Sequence, residues 1–81
     1  MDTLDSNLNK QIAILICGHG SRNKLAITEF EELTRLIQNR YPSILVEFGF
    51  LEFAKPSLTD ALDKLRNSSI KKVIAIPAML F

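Results

Sequence analysis

The chain has 81 residues, 47% of them hydrophobic and 23% charged, with a formal net charge of +1. That length allows one small domain, which buries only about 60% of its unfolded surface, and the composition is that of an ordinary globular protein. The near-neutral charge excludes the broad cationic footprint of a nucleic-acid binder, no apolar run approaches the roughly 20 residues of a membrane span, and a single cysteine makes no internal disulfide, which fits a reducing compartment.

The first residues, Met1-Asp2-Thr3-Leu4-Asp5-Ser6-Asn7, are acidic and amidic where a signal peptide has a basic start and an apolar core. Residues 1–11 therefore read as a short mobile tail of a cytoplasmic protein. From Ile12 to Cys17 the sequence is apolar without a break and rich in β-branched residues. It reads as a strand buried on both faces. Gly18-His19-Gly20-Ser21 follows at once, so the only histidine stands at the strand's carboxyl end, where open α/β sheets bind ligands.

A helix is predicted from near Asn23 to Arg40, with Ser21, Asn23 or Thr28 as its cap. Ala26, Phe30, Leu33 and Ile37, with Leu36 beside them, form one apolar stripe. Glu29, Glu31, Glu32, Arg35, Gln38 and Asn39 fall mostly on wet faces, and Glu31 and Arg35 are spaced as an i,i+4 pair. Tyr41-Pro42 stops the helix. Residues 44–51 read as a second strand, in which Glu47 marks an edge or a partly open face. Residues 52–55 form a loop. Pro56 suits the first turn of a second helix, whose buried stripe is Leu58, Ala61, Leu62 and Leu65 and which ends at Asn67-Ser68-Ser69. Residues 71–77 read as a third strand, and Ala78-Met79-Leu80-Phe81 ends the chain in apolar sequence.

The alternation predicts a three-stranded parallel sheet with βαβαβ connectivity. Two right-handed crossovers in opposite directions give the spatial order 2-1-3. Two helices cannot cover three apolar strands on both faces, so residues 12–81 are expected to be part of a larger doubly wound domain, or to fold against a partner.

His19 is a ligand for a borderline metal ion or a proton acceptor near neutral pH, or else a loop histidine that hydrogen-bonds its own turn. One histidine and one cysteine cannot close a four-ligand zinc site. Gly18-His19-Gly20-Ser21 ahead of a helix, with Arg22 and Lys24, also suits an anion cradle in a general form. It lacks the Gly-Lys-Ser/Thr ending of a P-loop, Asn23 stands where a dinucleotide fingerprint has its third glycine, and His19 where a hydrolase elbow has its glycine. Cys17 reads as core packing. Glu52 lies past the second strand on the same sheet edge as His19 and is either a site carboxylate or a solvated loop acid. Arg22 and Lys55 on that rim meet an anionic ligand or water.

Ile14-Leu15-Ile16-Cys17-Gly18-His19-Gly20-Ser21-Arg22 resembles the opening strand and His-Gly-Ser-Arg turn of the CbiX/SirB sirohydrochlorin chelatases. Phe30-Glu31-Glu32-Leu33, residues 46–57 and residues 72–81 are similar to the family's first helix, its Phe-Leu-Glu…Pro-Ser segment and the strand leading to its second histidine turn. The resemblance implies insertion of Co²⁺ or Fe²⁺ into a sirohydrochlorin-type tetrapyrrole for cobalamin or siroheme synthesis, without an organic cofactor. It implies a catalytic, metal-binding role for His19 and a catalytic role for Glu52. Gly20, Ser21 and Arg22 would orient the polycarboxylate substrate. The family's second histidine follows the third strand and lies beyond Phe81. Residues 12–81 are accordingly expected to be a partial chelatase-like domain, truncated or completed by a second copy or another polypeptide, with no nucleic-acid or membrane partner. The alternative is a non-catalytic remnant or binding module that docks with a partner.

Overall fold

A computed structural model describes residues 11–78. Most of the tail expected over 1–11, and Met79, Leu80 and Phe81, lie outside the described residues. Five elements follow in order: β1 (Ile12–Gly18), α1 (Lys24–Arg40), β2 (Leu45–Phe50), α2 (Leu58–Arg66) and β3 (Lys72–Pro77). β1 pairs in parallel with β2 on one side and β3 on the other, giving the order β2-β1-β3 expected from the sequence.

β1 is central, hydrogen-bonded to a neighbour along each edge, and both of its faces are packed. Ile14 and Ile16 join Val46, Phe50 and Phe30 of α1 in one cluster, while Ala13 and Leu15 join Ala61 and Leu65 of α2 in another. Successive strand residues point to opposite faces, so this split places one helix on each side of the sheet. Same-handed crossovers running in opposite directions from β1 produce that arrangement. Phe30 is fully buried and packs its ring 4.8 Å from Phe50 and 5.9 Å from Phe48.

Asn23 caps α1, its side chain accepting from the Leu25 N–H at 2.9 Å. The buried face of α1 runs through Phe30 and Thr34, with Ile27 and Ile37 against the core. Leu36, placed beside the stripe from its spacing, is 59% exposed, because it lies one residue off the face that the 27, 30, 34, 37 series presents to the sheet. Gln38 does not sit on the wet face either. Its amide donates to the Tyr41 and Ile44 carbonyls and accepts from the Val46 N–H at 3.0 Å, pinning the end of α1 to the start of β2. Arg35 pairs with Glu32 rather than Glu31.

The second helix starts later than its proline suggests. Ser57 is the N-cap of α2, and a capping box links Ser57 with Asp60. Pro56 stands before the cap, following a cis Lys55–Pro56 bond. The two reciprocal hydrogen bonds satisfy amides at the helix start that have no partner within the helix. Leu62, expected in the buried stripe, is 41% exposed. It reaches toward β3, lining an open cleft with Leu65, Ile70 and Val73. Glu47 sits on edge strand β2, largely covered, and pairs with Lys64 of α2 at 3.4 Å.

Both helices cover β1 and β2, whereas every residue of β3 is exposed. Its register with β1 puts Ile74 and Ile76 on the α1 face and Val73 and Ala75 on the α2 face. Val73, Ile74 and Ile76 are 38–43% exposed, an apolar strand without cover among the described residues.

Candidate functional site

The carboxyl ends of three parallel strands define one rim, and two loops meet on it. After β1 the chain runs through Gly18, His19, Gly20 and Ser21 into α1. After β2 it makes a loop over residues 51–56. That loop is pinched at its base, where the Phe50 N–H donates to the Pro56 carbonyl at 2.9 Å. It is also sewn to the first loop: the Leu51 N–H donates to the Gly18 carbonyl at 3.0 Å and the Glu52 N–H to the His19 carbonyl at 3.2 Å. Two backbone hydrogen bonds therefore tie the loops together just past the paired strand ends.

Gly20 makes that approach possible. A Cβ at this position would lie 1.7 Å from the Glu52 carbonyl oxygen, and its φ is +106°. Both the contact and the dihedral require glycine. Gly18 has a packing role beneath, where a Cβ would meet the Phe30 ring at 2.8 Å.

The backbone stitching brings the side chains of His19 and Glu52 together. His19 Nε2 lies 3.4 Å from Glu52 Oε1, and both side chains are about half exposed, at 54% and 53%. The contact is loose for a hydrogen bond, and the open side of each group faces water. The pair offers one imidazole nitrogen and one carboxylate, adjacent and accessible. No cluster of three or more His, Cys, Asp or Glu residues capable of holding a metal is formed among the described residues. Among the described residues, a divalent ion here would meet this pair, with its remaining coordination positions open to water or another ligand.

Ser21 Oγ accepts from the Asn23 N–H at 3.0 Å, which shapes the turn into α1. Arg22 lies over the Phe53 ring, 4.6 Å from its centroid. Ser21 and Arg22 line an open cleft of about 440 Å³ with Lys24, Ile27, Thr28, Phe53, Ala54 and Lys55. Lys55 reaches Asp60 at 3.7 Å. Cys17 packs half-buried against the Ala13–Leu15–Ala61–Leu65 cluster, and burial raises its thiol pKa above the ordinary value. It takes no part in the rim.

His19, Gly20, Ser21, Arg22 and Glu52 thus fall on one rim, as their positions after parallel strands predict. Phe53 carries no periodic signal in the sequence, being an isolated aromatic in a loop; its one local cue is its place between an acid and a proline-ended loop.

The CbiX family model matches residues 13–81. The chain is similar to proteins named sirohydrochlorin cobaltochelatase: 30% identical over 73 residues to one from Methanococcoides burtonii, covering 90% of this chain and 56% of the relative. With one from Saccharolobus islandicus it shares 35% identity over 72 residues, 84% of this chain and 52% of the relative. With one from Methanopyrus kandleri the identity is 28% over 69 residues, 85% and 48%. The chain spans about half the length of these relatives.

Proposed function

The chain belongs to the CbiX family, and from that premise we propose that its rim is a metal-handling site for a chelatase reaction, insertion of a divalent ion into a sirohydrochlorin-type tetrapyrrole. Cobalt is the favoured substrate ion, because the relatives are named cobaltochelatases; ferrous iron is the alternative. Cobalamin synthesis is the corresponding destination, siroheme synthesis that of iron. A cytoplasmic location goes with this reading.

One observation carries the proposal: His19 Nε2 and Glu52 Oε1 stand 3.4 Å apart, half exposed, on the carboxyl-end rim. Insertion exchanges a divalent cation for the two N–H protons of the macrocycle. His19 in its neutral form holds the ion loosely, leaving positions for the pyrrole nitrogens. As the ion leaves the imidazole, His19 takes one proton and Glu52 the other, and both groups return them to solvent. Gly20 keeps the two loops in register, and Ser21 and Arg22 meet the substrate's carboxylates. Anaerobic incubation of the chain with sirohydrochlorin and Co²⁺, followed by absorbance, tests this. The expected result is the cobalt product formed above the spontaneous rate. No product above that rate would remove the chelatase reading.

A second reading is favoured by β3, where Val73, Ile74 and Ile76 are exposed. In it the chain is a docking module, non-catalytic alone, whose open strand is covered by a second copy or a completing polypeptide. Sedimentation showing a complex together with absent insertion activity would support it.

A further inference from the structure

Phe53 is the feature of the rim that the fold does not explain. It is 53% exposed and adopts φ +68°, a left-handed conformation in which a bulky non-glycine residue is an outlier. Among the described residues it belongs to neither core cluster. Strain of this kind is found where function requires a group in one place.

The surroundings say what the ring is placed for. Phe53 directly follows Glu52 and stands between two open clefts. One, about 440 Å³, is also lined by Ser21, Arg22 and Lys24; the other, about 470 Å³, by Glu52, Lys55 and Ser57. The Arg22 guanidinium stacks on the ring at 4.6 Å and makes no ion pair among the described residues. A stacked guanidinium keeps its N–H edge free for a carboxylate. An exposed aromatic face, a stacked cation with a free edge and a metal-ligating pair one residue away suit a ligand that is planar, apolar in its ring and acidic at its periphery.

We propose that Phe53 and Arg22 form a positioning wall for the macrocycle. The phenyl ring stacks on the flat face of the tetrapyrrole, and Arg22 pairs with a peripheral carboxylate, which sets the central nitrogens at the His19–Glu52 pair. This inference rests on the chelatase reading.

The test is binding of metal-free sirohydrochlorin, measured by absorbance under anaerobic conditions, to the full chain and to Phe53→Asn, Phe53→Ala and Arg22→Gln. Asparagine tolerates the left-handed conformation, so Phe53→Asn should keep or raise the melting temperature while weakening binding roughly tenfold, as loss of one stacking contact does. Arg22→Gln should weaken sirohydrochlorin roughly tenfold and leave binding of its octamethyl ester unchanged. Co²⁺ affinity without tetrapyrrole should stay the same in all three. Wild-type binding that the variants match within twofold overturns the wall and leaves the chelatase reading intact. Absence of sirohydrochlorin binding by the wild type overturns both. Weaker binding with a lowered melting temperature in Phe53→Asn assigns the ring a structural role and overturns the proposal.

Discussion

Gly20→Ala separates the rim from the core. The new Cβ would start 1.7 Å from the Glu52 carbonyl oxygen, and even a 3.0 Å contact requires that carbonyl to retreat by about 1.3 Å. Such a shift breaks the 3.2 Å hydrogen bond from the Glu52 N–H to the His19 carbonyl. Alanine at φ +106° adds backbone strain of about 1–3 kcal/mol. With the lost hydrogen bond, worth about 1 kcal/mol, the expected destabilisation is about 2–4 kcal/mol, a large share of a small domain's stability. Thermal unfolding followed by circular dichroism should show a fall of roughly 10–30 °C. The aromatic cluster around Phe30 lies beneath the rim, so the far-ultraviolet spectrum at low temperature should be unchanged. Cobalt affinity should fall as well, because the carboxylate moves away from the imidazole. A Gly20→Ala protein with unaltered melting temperature and unaltered cobalt affinity would refute the close approach of the two loops.

Phe30→Ala should cost about 3–5 kcal/mol, since the side chain is fully buried and packs on two other rings; a urea titration reads it, and a loss below about 1 kcal/mol would mean that this face is not the core. The Ser57 N–H and side chain, followed by the Lys55 ammonium, lower the Asp60 pKa below the ordinary value. A depressed carboxylate pKa contributes stability that is present above the unfolded value of about 3.9 and lost as pH falls through the folded one. Melting temperatures between pH 3 and 7 should therefore show a smaller acid-limb fall in Asp60→Asn than in wild type. Ile74→Lys puts a charge on the open β3 strand and should reduce concentration-dependent self-association in sedimentation velocity; equal association by both proteins would show that β3 is not the contact.

The parts of the fold that obey a local period were legible. Unbroken apolar sequence at residues 12–17 and the helical spacing around Phe30 each have one stable solution, and the short list of parallel topologies supplies the strand order. Deviations arose where a side chain answers to a neighbour distant in the chain. Gln38 looked solvated because its partners, the Ile44 carbonyl and the Val46 amide, come from the next strand. Pro56 looked like a first-turn residue, although Ser57 and Asp60 three positions apart carried the stronger capping signal. The juxtaposition of His19 and Glu52 was legible only as a shared rim. Its closeness depends on the Gly20 backbone lying against the Glu52 carbonyl, a tertiary contact with no periodicity to announce it.

The most direct test of the proposed metal-handling role of His19 and Glu52 is an anaerobic Co²⁺ titration of wild type, His19→Ala and Glu52→Gln, followed by the visible absorption of the bound ion, with a melting curve on each. His19→Ala should abolish cobalt binding without a drop in melting temperature, because a half-exposed side chain contributes little to packing. Glu52→Gln should weaken it less. Unchanged cobalt affinity in His19→Ala, with a lowered melting temperature, would contradict the assignment and leave His19 as a residue that holds its own turn.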